Sequence, residues 1–227
     1  MYAHCKRLED LWKEVDRLQR KAFPKQHLVS IVGDGKAHRP RFMFVFINPT
    51  ARNISADPAW KGPRFPFIGT KDFWRVFYRA GLFDASLIKY IEKNKKWSVP
   101  FTQKVLRFLR RHNYYFTNVV KLTGTTAKLP TARQIKLFLP ILQREIELVQ
   151  PTYIITFGVI PFERLAKKKI RMKDYYHTLM ETKHVHVWNV TIGYFHGKIT
   201  PCYFPMGRGE PKKAVEMLRM IHAKMSS

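Results

Sequence analysis

Six consecutive apolar residues, Phe42-Met43-Phe44-Val45-Phe46-Ile47, stop abruptly at Asn48-Pro49. A short apolar run that ends on a chain breaker predicts a strand buried on both faces, which requires a sheet covered by helices on each side. Tyr114 to Val120 and Tyr153 to Phe157, the latter closed by Gly158, have the same character, and Ile199 to Phe204 adds another strand. Val185 to Ile192 alternates weakly and predicts an edge strand or hairpin, and His27 to Val32 predicts a short strand ended by Gly33-Asp34-Gly35. Helical spacing separates these segments. Leu8, Leu11, Val15 and Leu18 predict an amphipathic helix over 5–21, and Phe73, Trp74, Phe77 and Tyr78 an aromatic helix ending near Gly81. Further helices are expected over 101–111, over 131–149, from Pro161 to Lys168, and from about Pro211. Pro140 is expected to kink or split the helix over 131–149. Strands alternating with helices predict a three-layer α/β/α fold around a mostly parallel sheet of four or five strands. A length of 227 residues suits one domain, with residues 1–27 as an N-terminal helical extension packed on it.

In such sheets ligands bind beyond the carboxyl ends of the strands. The unusual loops all follow strands: 48–70, Thr117 to Thr126, Gly158, and 204–210. The first carries four prolines (Pro49, Pro58, Pro63, Pro66) and two glycines (Gly62, Gly69), and a loop this long is uncommon unless it has a function. These loops are expected to converge on one crevice.

Charge names the partner class. Lys plus Arg number 42 against 16 Asp plus Glu, a formal net charge of +26, and the pI is about 10.3. A domain this basic repels itself, so the charge points to a polyanion, and nucleic acid is the commonest one. The run Lys167, Lys168, Lys169, Arg171, Lys173 suits a phosphate-contacting surface or a solvated face. The two cysteines, Cys5 and Cys202, have no CxxC spacing, so zinc and iron–sulfur ligand sets are missing and a reducing compartment is expected. His184 and His186 lack a companion acid and read as a surface pair rather than a metal site. No Walker loop, dinucleotide fingerprint or nucleophile elbow occurs, and acids are too scattered for a two-metal nuclease. The chain has no apolar run near 18 residues and no secretory leader, which sets the expectation of a cytoplasmic protein without membrane contact.

Taken singly, Asn48 before Pro49 is a common turn starter and Phe67 an ordinary core residue. Their order along the chain resembles the uracil-DNA glycosylase superfamily. Phe46-Ile47-Asn48-Pro49-Thr50 is similar to the first motif of the mismatch-specific uracil- and thymine-DNA glycosylases, usually Gly-Ile-Asn-Pro-Gly. Phe65-Pro66-Phe67, Asp72-Phe73-Trp74 and Ala80-Gly81 resemble the same branch. Val32-Gly33-Asp34-Gly35, Pro66-Phe67-Ile68-Gly69, Thr117-Asn118-Val119-Val120-Lys121 and the stretch from Pro151 to Gly158 resemble the thermostable iron–sulfur branch, without its cluster cysteines. The resemblance spans roughly residues 28–220.

It implies a monofunctional DNA glycosylase that flips a deaminated base out of the stack, needs no cofactor or metal, and acts as a monomer alongside chromosomal DNA. Asn48 would hold the attacking water, and Phe67 would stack on the base. Asn118 would read the base edge with its amide donor and acceptor, while Ile47 and Thr50 would shape the pocket. Arg64, Lys121, Phe204, Met206, Gly207, Arg208 and Lys212 would lie along the DNA. Backbone N–H groups of 47–50 and 204–208 would stabilise charge on the leaving base. Two positions depart from the pattern. The second motif, His-Pro-Ser or Asn-Pro-Ser in relatives, reads Phe204-Pro205-Met206-Gly207-Arg208, and Phe204 cannot donate to a leaving base. Arg208 fits a phosphate contact or an ordinary surface arginine equally well. Thr50 stands where the mismatch branch has Gly, which predicts uracil over thymine. The alternative expectation is a catalytically weak or silent relative that recognises damaged or structured DNA. A basic RNA-associated protein on the same fold would instead prefer RNA in competition.

Overall fold

The computed structural model describes residues 2–94, 97–207 and 209–226. Six strands form one mixed sheet: β1 (Asp34–Gly35), β2 (Phe42–Phe46), β3 (Tyr114–Asn118), β4 (Tyr153–Phe157), β5 (Trp188–Ile192) and β6 (Phe195–Cys202). Their spatial order is β1-β3-β2-β4-β6-β5. The four inner strands run parallel, and β1 and β5 cap the two edges antiparallel. This is the expected α/β/α sheet with its parallel centre, widened by an antiparallel strand at each edge.

The helices are α1 (Leu8–Ala22), α2 (Lys71–Arg79), α3 (Ala85–Lys93), α4 (Val99–Arg111), α5 (Ala132–Val149), α6 (Val159–Ala166), α7 (Met172–Thr182) and α8 (Pro211–Ser226). Alternate residues of β2 enter opposite layers, as the pleat dictates. Phe42, Phe44 and Phe46 pack with α2, α4, α7 and α8, whereas Met43, Val45 and Ile47 pack with α1, α5 and α6. That two-sided burial is why the strand is apolar throughout rather than alternating.

Three expectations change. Residues 27–32 form no strand. Their N–H groups go to carbonyls of separate loops, Val29 to Ala56 and Ile31 to Lys121, so no ladder builds up, and the edge pairing falls on Asp34 and Gly35 instead. Pro140 does not split α5, which runs unbroken over 18 residues. The carbonyl deprived of its donor is that of Lys136, an exposed residue, where water can serve it. Two helices were not anticipated. One is α3, started by Asp84, whose carboxylate accepts from the N–H groups of Ser86 and Leu87. The other is α7, whose start lies within the segment read as a basic run.

The connections position the site. From β2 the chain crosses through α2, α3 and α4 to β3 on one side, then returns through α5 to β4 on the other side of β2. The carboxyl end of β2 is therefore a point where the chain departs in opposite directions, which opens a crevice there.

Candidate functional site

Asn48 lies at that crevice, two residues past the end of β2, and Asn118 is the last residue of β3, paired across the sheet with Phe46. The pairing continues beyond the strands. Val119 and Val120 donate to the carbonyls of Phe46 and Ile47, Thr50 bridges to Gly124, Ala51 donates to the Gly124 carbonyl, and Gly124 donates back to Pro49. A Cβ on Gly124 would stand 3.5 Å from Asn48 Nδ2 and 3.1 Å from the Thr126 carbonyl, so the close approach favours glycine. The segment after Asn48 is held as firmly as a strand.

The 48–70 loop is tied across its own span. Asn53 Oδ1 accepts from the N–H and hydroxyl of Ser55, and Asn53 Nδ2 donates to the Phe65 carbonyl at 2.8 Å. Ile54 donates to Ile68, and Trp74 Nε1 donates to the Phe67 carbonyl at 2.9 Å. Phe67 itself has φ of 69°, a left-handed conformation that costs a side-chain-bearing residue of order 1–2 kcal/mol. Its ring lies flat on Phe73, with centroids 3.7 Å apart and planes within 5°, and meets Phe46 edge-on at 4.5 Å.

A cavity of about 60 Å³ lies between these parts, lined among others by Asn48, Thr50, Phe67, Asn118, Phe204 and Met206. Pro49, Arg52, Asn53, Pro66 and Thr70 complete the wall. Asn118 is 1% exposed, and neither its Nδ2 nor its Oδ1 has a hydrogen-bond partner among the described residues. A buried donor and acceptor left unmade cost about 1–3 kcal/mol each. Asn48, which lines the cavity, donates through Nδ2 to the Pro49 carbonyl at 3.2 Å, and its Oδ1 makes no hydrogen bond among the described residues. Among the described residues of this lining Arg52 is the only ionisable side chain, so none of them acts as a base near neutral pH.

The structure thus gathers Asn48, Thr50, Phe67, Asn118, Phe204 and Met206 around one cavity. Ile47, buried on the α5 side, supports the floor from behind rather than lining it. Gly207, with φ of 57°, and Lys212, exposed on the first turn of α8, flank the rim segment. Arg208 lies outside the described residues. Arg64 points away: its guanidinium makes a paired contact with Asp16 of α1 at 2.9 and 3.0 Å, tying the loop to the N-terminal helix.

Lys121 requires a correction. It is fully buried, so it does not touch DNA. Its ammonium donates to Glu145 of α5, to the Thr117 hydroxyl and, at 2.7 Å, to the Asn118 carbonyl. Tyr115 and Thr117 donate to the same carboxylate at 2.9 and 3.0 Å. Burial pushes the Lys121 ammonium pKa down by more than the Glu145 carboxylate pulls it up. A lysine after an apolar strand reads as exposed from sequence, because its partner Glu145 is 24 residues away on another element. Arg52, Asn53 and Thr70 were also missed, and their only signal was membership of the loop that Asn48 begins.

A search of curated proteins finds no match. The family model of the uracil DNA glycosylase superfamily matches residues 32–220, from the turn before β1 to the last turns of α8, and takes in every cavity-lining residue. With its sheet parallel at the centre, its crevice at β2 and this match over most of its length, the chain belongs to the uracil DNA glycosylase superfamily.

Proposed function

We propose that this protein hydrolyses the N-glycosidic bond of a deaminated base flipped out of DNA, with uracil as its first substrate. Members of its superfamily are DNA glycosylases. The observation that carries the finer reading is Asn118, whose unpartnered amide donor and acceptor face a cavity shared with Asn48. A pyrimidine with adjacent N–H and C=O groups satisfies both at once, and a base lacking either leaves one orphaned. Phe67, backed by Phe73, offers a stiff aromatic surface for the flipped ring. Thr50 takes up room where a thymine methyl would sit.

The Asn48 amide cannot take up a proton at neutral pH, so its work is to aim a water with its Oδ1; the base departs as its anion, and the attacking water releases its proton to solvent once the new C–O bond forms. Aiming suffices when glycosidic cleavage runs ahead of nucleophilic attack, as in oxocarbenium-like displacements at sugar carbons. The N–H groups of Met206 and Gly207 make no hydrogen bond among the described residues, and they are available as donors to a leaving base in place of the histidine that Phe204 replaces.

A panel of oligonucleotides bearing single deaminated bases, scored by alkaline strand cleavage, tests the reading. Wild-type protein is expected to turn over uracil repeatedly, faster opposite G than it releases thymine from G·T. Asn48→Ala is expected to lose release by at least about 100-fold, typical of lost positioning in a transition state, while still binding the same DNA. Faster G·T than G·U release, or full activity in Asn48→Ala, would reject the assignment. The second reading, a silent lesion-binding relative, is favoured by Phe204 alone and predicts preferential binding without any turnover.

A further inference from the structure

The four inner strands run parallel and begin at the same end of the sheet, so the residues just before β2 and β3 lie at the end opposite the cavity. That end is strongly basic. Arg39 and Arg41 immediately precede β2, Arg111 and His112 precede β3, and Lys36 follows β1 with its N–H donating to the Tyr114 carbonyl. The segments are neighbours: Phe42 donates to Asn113, Tyr153 to Arg41, and Arg39 to Val149. His222 of α8 packs its ring 6.0 Å from Phe42 in the same group. Lys36, Arg39, Arg41 and Arg111 are exposed, and none makes an ion pair with a carboxylate among the described residues. Arg41 donates instead to the Met225 carbonyl at the end of α8. Asp34, the carboxylate bound into this group, is already held by Arg110 at 3.2 Å.

Two further observations fit a surface kept positive. Arg39 occupies left-handed backbone, φ of 47°, where glycine or asparagine costs less, so a cation stands where backbone geometry alone favours another residue. His222 has its pKa lowered first by burial and then by Arg41 and His112, a sign that the local potential is positive.

These charges do little for a ligand at the cavity. The five residues of β2 separate the two ends by about 17 Å, roughly two screening lengths at physiological salt. We infer that this edge is a second DNA-binding surface, which holds the phosphate backbone of another duplex segment while the first is engaged at the cavity. The charge complementarity is to a phosphate backbone, because Lys36, Arg39, Arg41 and Arg111 offer cations with no carboxylate partner among the described residues, whereas the cavity of about 600 Å³ beside Lys36 is also lined by Glu9 and Asp34. The inference is independent of whether the cavity releases uracil.

Two short lesion-free duplexes, one carrying a donor dye and one an acceptor, test it with the full chain. Wild-type protein is expected to bring them together at about half the duplex concentration, giving energy transfer that fades as salt rises. The variant Lys36→Gln/Arg39→Gly/Arg111→Gln is expected to lose that transfer and to keep one-to-one binding. In the single variants Lys36→Gln and Arg111→Gln, which keep part of the surface, the bridging salt slope should fall by about 0.9 for each phosphate contact removed. Arg39→Gly alone suits its backbone conformation and keeps the fold, and it is expected to weaken bridging in the same direction. Absence of bridging by the wild type overturns the inference. So does equal bridging by a triple variant that melts like the wild type, which would place the second duplex elsewhere or on a second copy of the chain.

Discussion

At the scale of single residues, the site is defined by a cost. Asn118 sits buried with neither amide group paired among the described residues, a cost that a bound base would remove under the proposed function. Asn118→Ala is therefore expected to separate stability from function. Removing the orphaned amide should leave the melting temperature unchanged or raise it, while kcat/KM for uracil release falls by roughly 10- to 100-fold, the loss of about 1–3 kcal/mol of base recognition. Calorimetry and steady-state assays on one preparation check both halves, and a variant that both melts lower and keeps its activity contradicts the role. Sequence pointed to this residue through the resemblance of Thr117-Asn118-Val119-Val120-Lys121 to a family motif, in order with Asn48 and Phe67. Nothing in Thr117-Asn118-Val119 by itself says that the amide is unpaired, because its partners depend on which loops close over it.

At the scale of elements, the buried Lys121–Glu145 pair joins the end of β3 to α5 and holds the carbonyl of Asn118. Breaking such a pair from one side leaves an uncompensated buried charge. Lys121→Met is expected to destabilise the protein by about 3–5 kcal/mol, and Lys121→Met/Glu145→Met to recover most of that loss in denaturant melts. A double variant as unstable as the single one contradicts this account. The 48–70 loop teaches the same lesson differently. Its prolines and glycines announced an ordered functional loop, but not that Asn53 would clamp Phe65 or that Trp74 would hold the Phe67 carbonyl. Those ties run between segments that local propensity treats separately.

At the scale of the whole molecule, charge and pH link the far edge of the sheet to stability. His222 is half-buried beside Arg41 and His112, and its pKa lies below the usual 6.5, chiefly through burial. A base whose pKa drops on folding is protonated more readily in the unfolded chain, so stability rises with pH up to about the unfolded value and declines as pH falls below it. Wild-type melting temperature is expected to climb between pH 5 and about 6.5, and His222→Gln to flatten part of that climb. A slope unchanged by the substitution would assign the acid sensitivity to other groups.

The strands at Phe42, Tyr114 and Tyr153, the helices over 8–22 and 132–149, and hence the layered sheet, follow from the sequence alone, because burial on two faces or along one stripe writes its own periodicity. The loop that carries Asn48 and Phe67 was marked by its breakers, and the family by the order of short motifs. Tertiary structure decided the rest. It turned Lys121 inward onto Glu145 and tied Arg64 to Asp16. It left the Asn118 amide unpaired among the described residues and collected Lys36, Arg39, Arg41 and Arg111 on one edge. Each of these depends on which distant segment becomes a neighbour, and hydrogen bonds and charges are satisfied by proximity in space, which local sequence pattern does not encode.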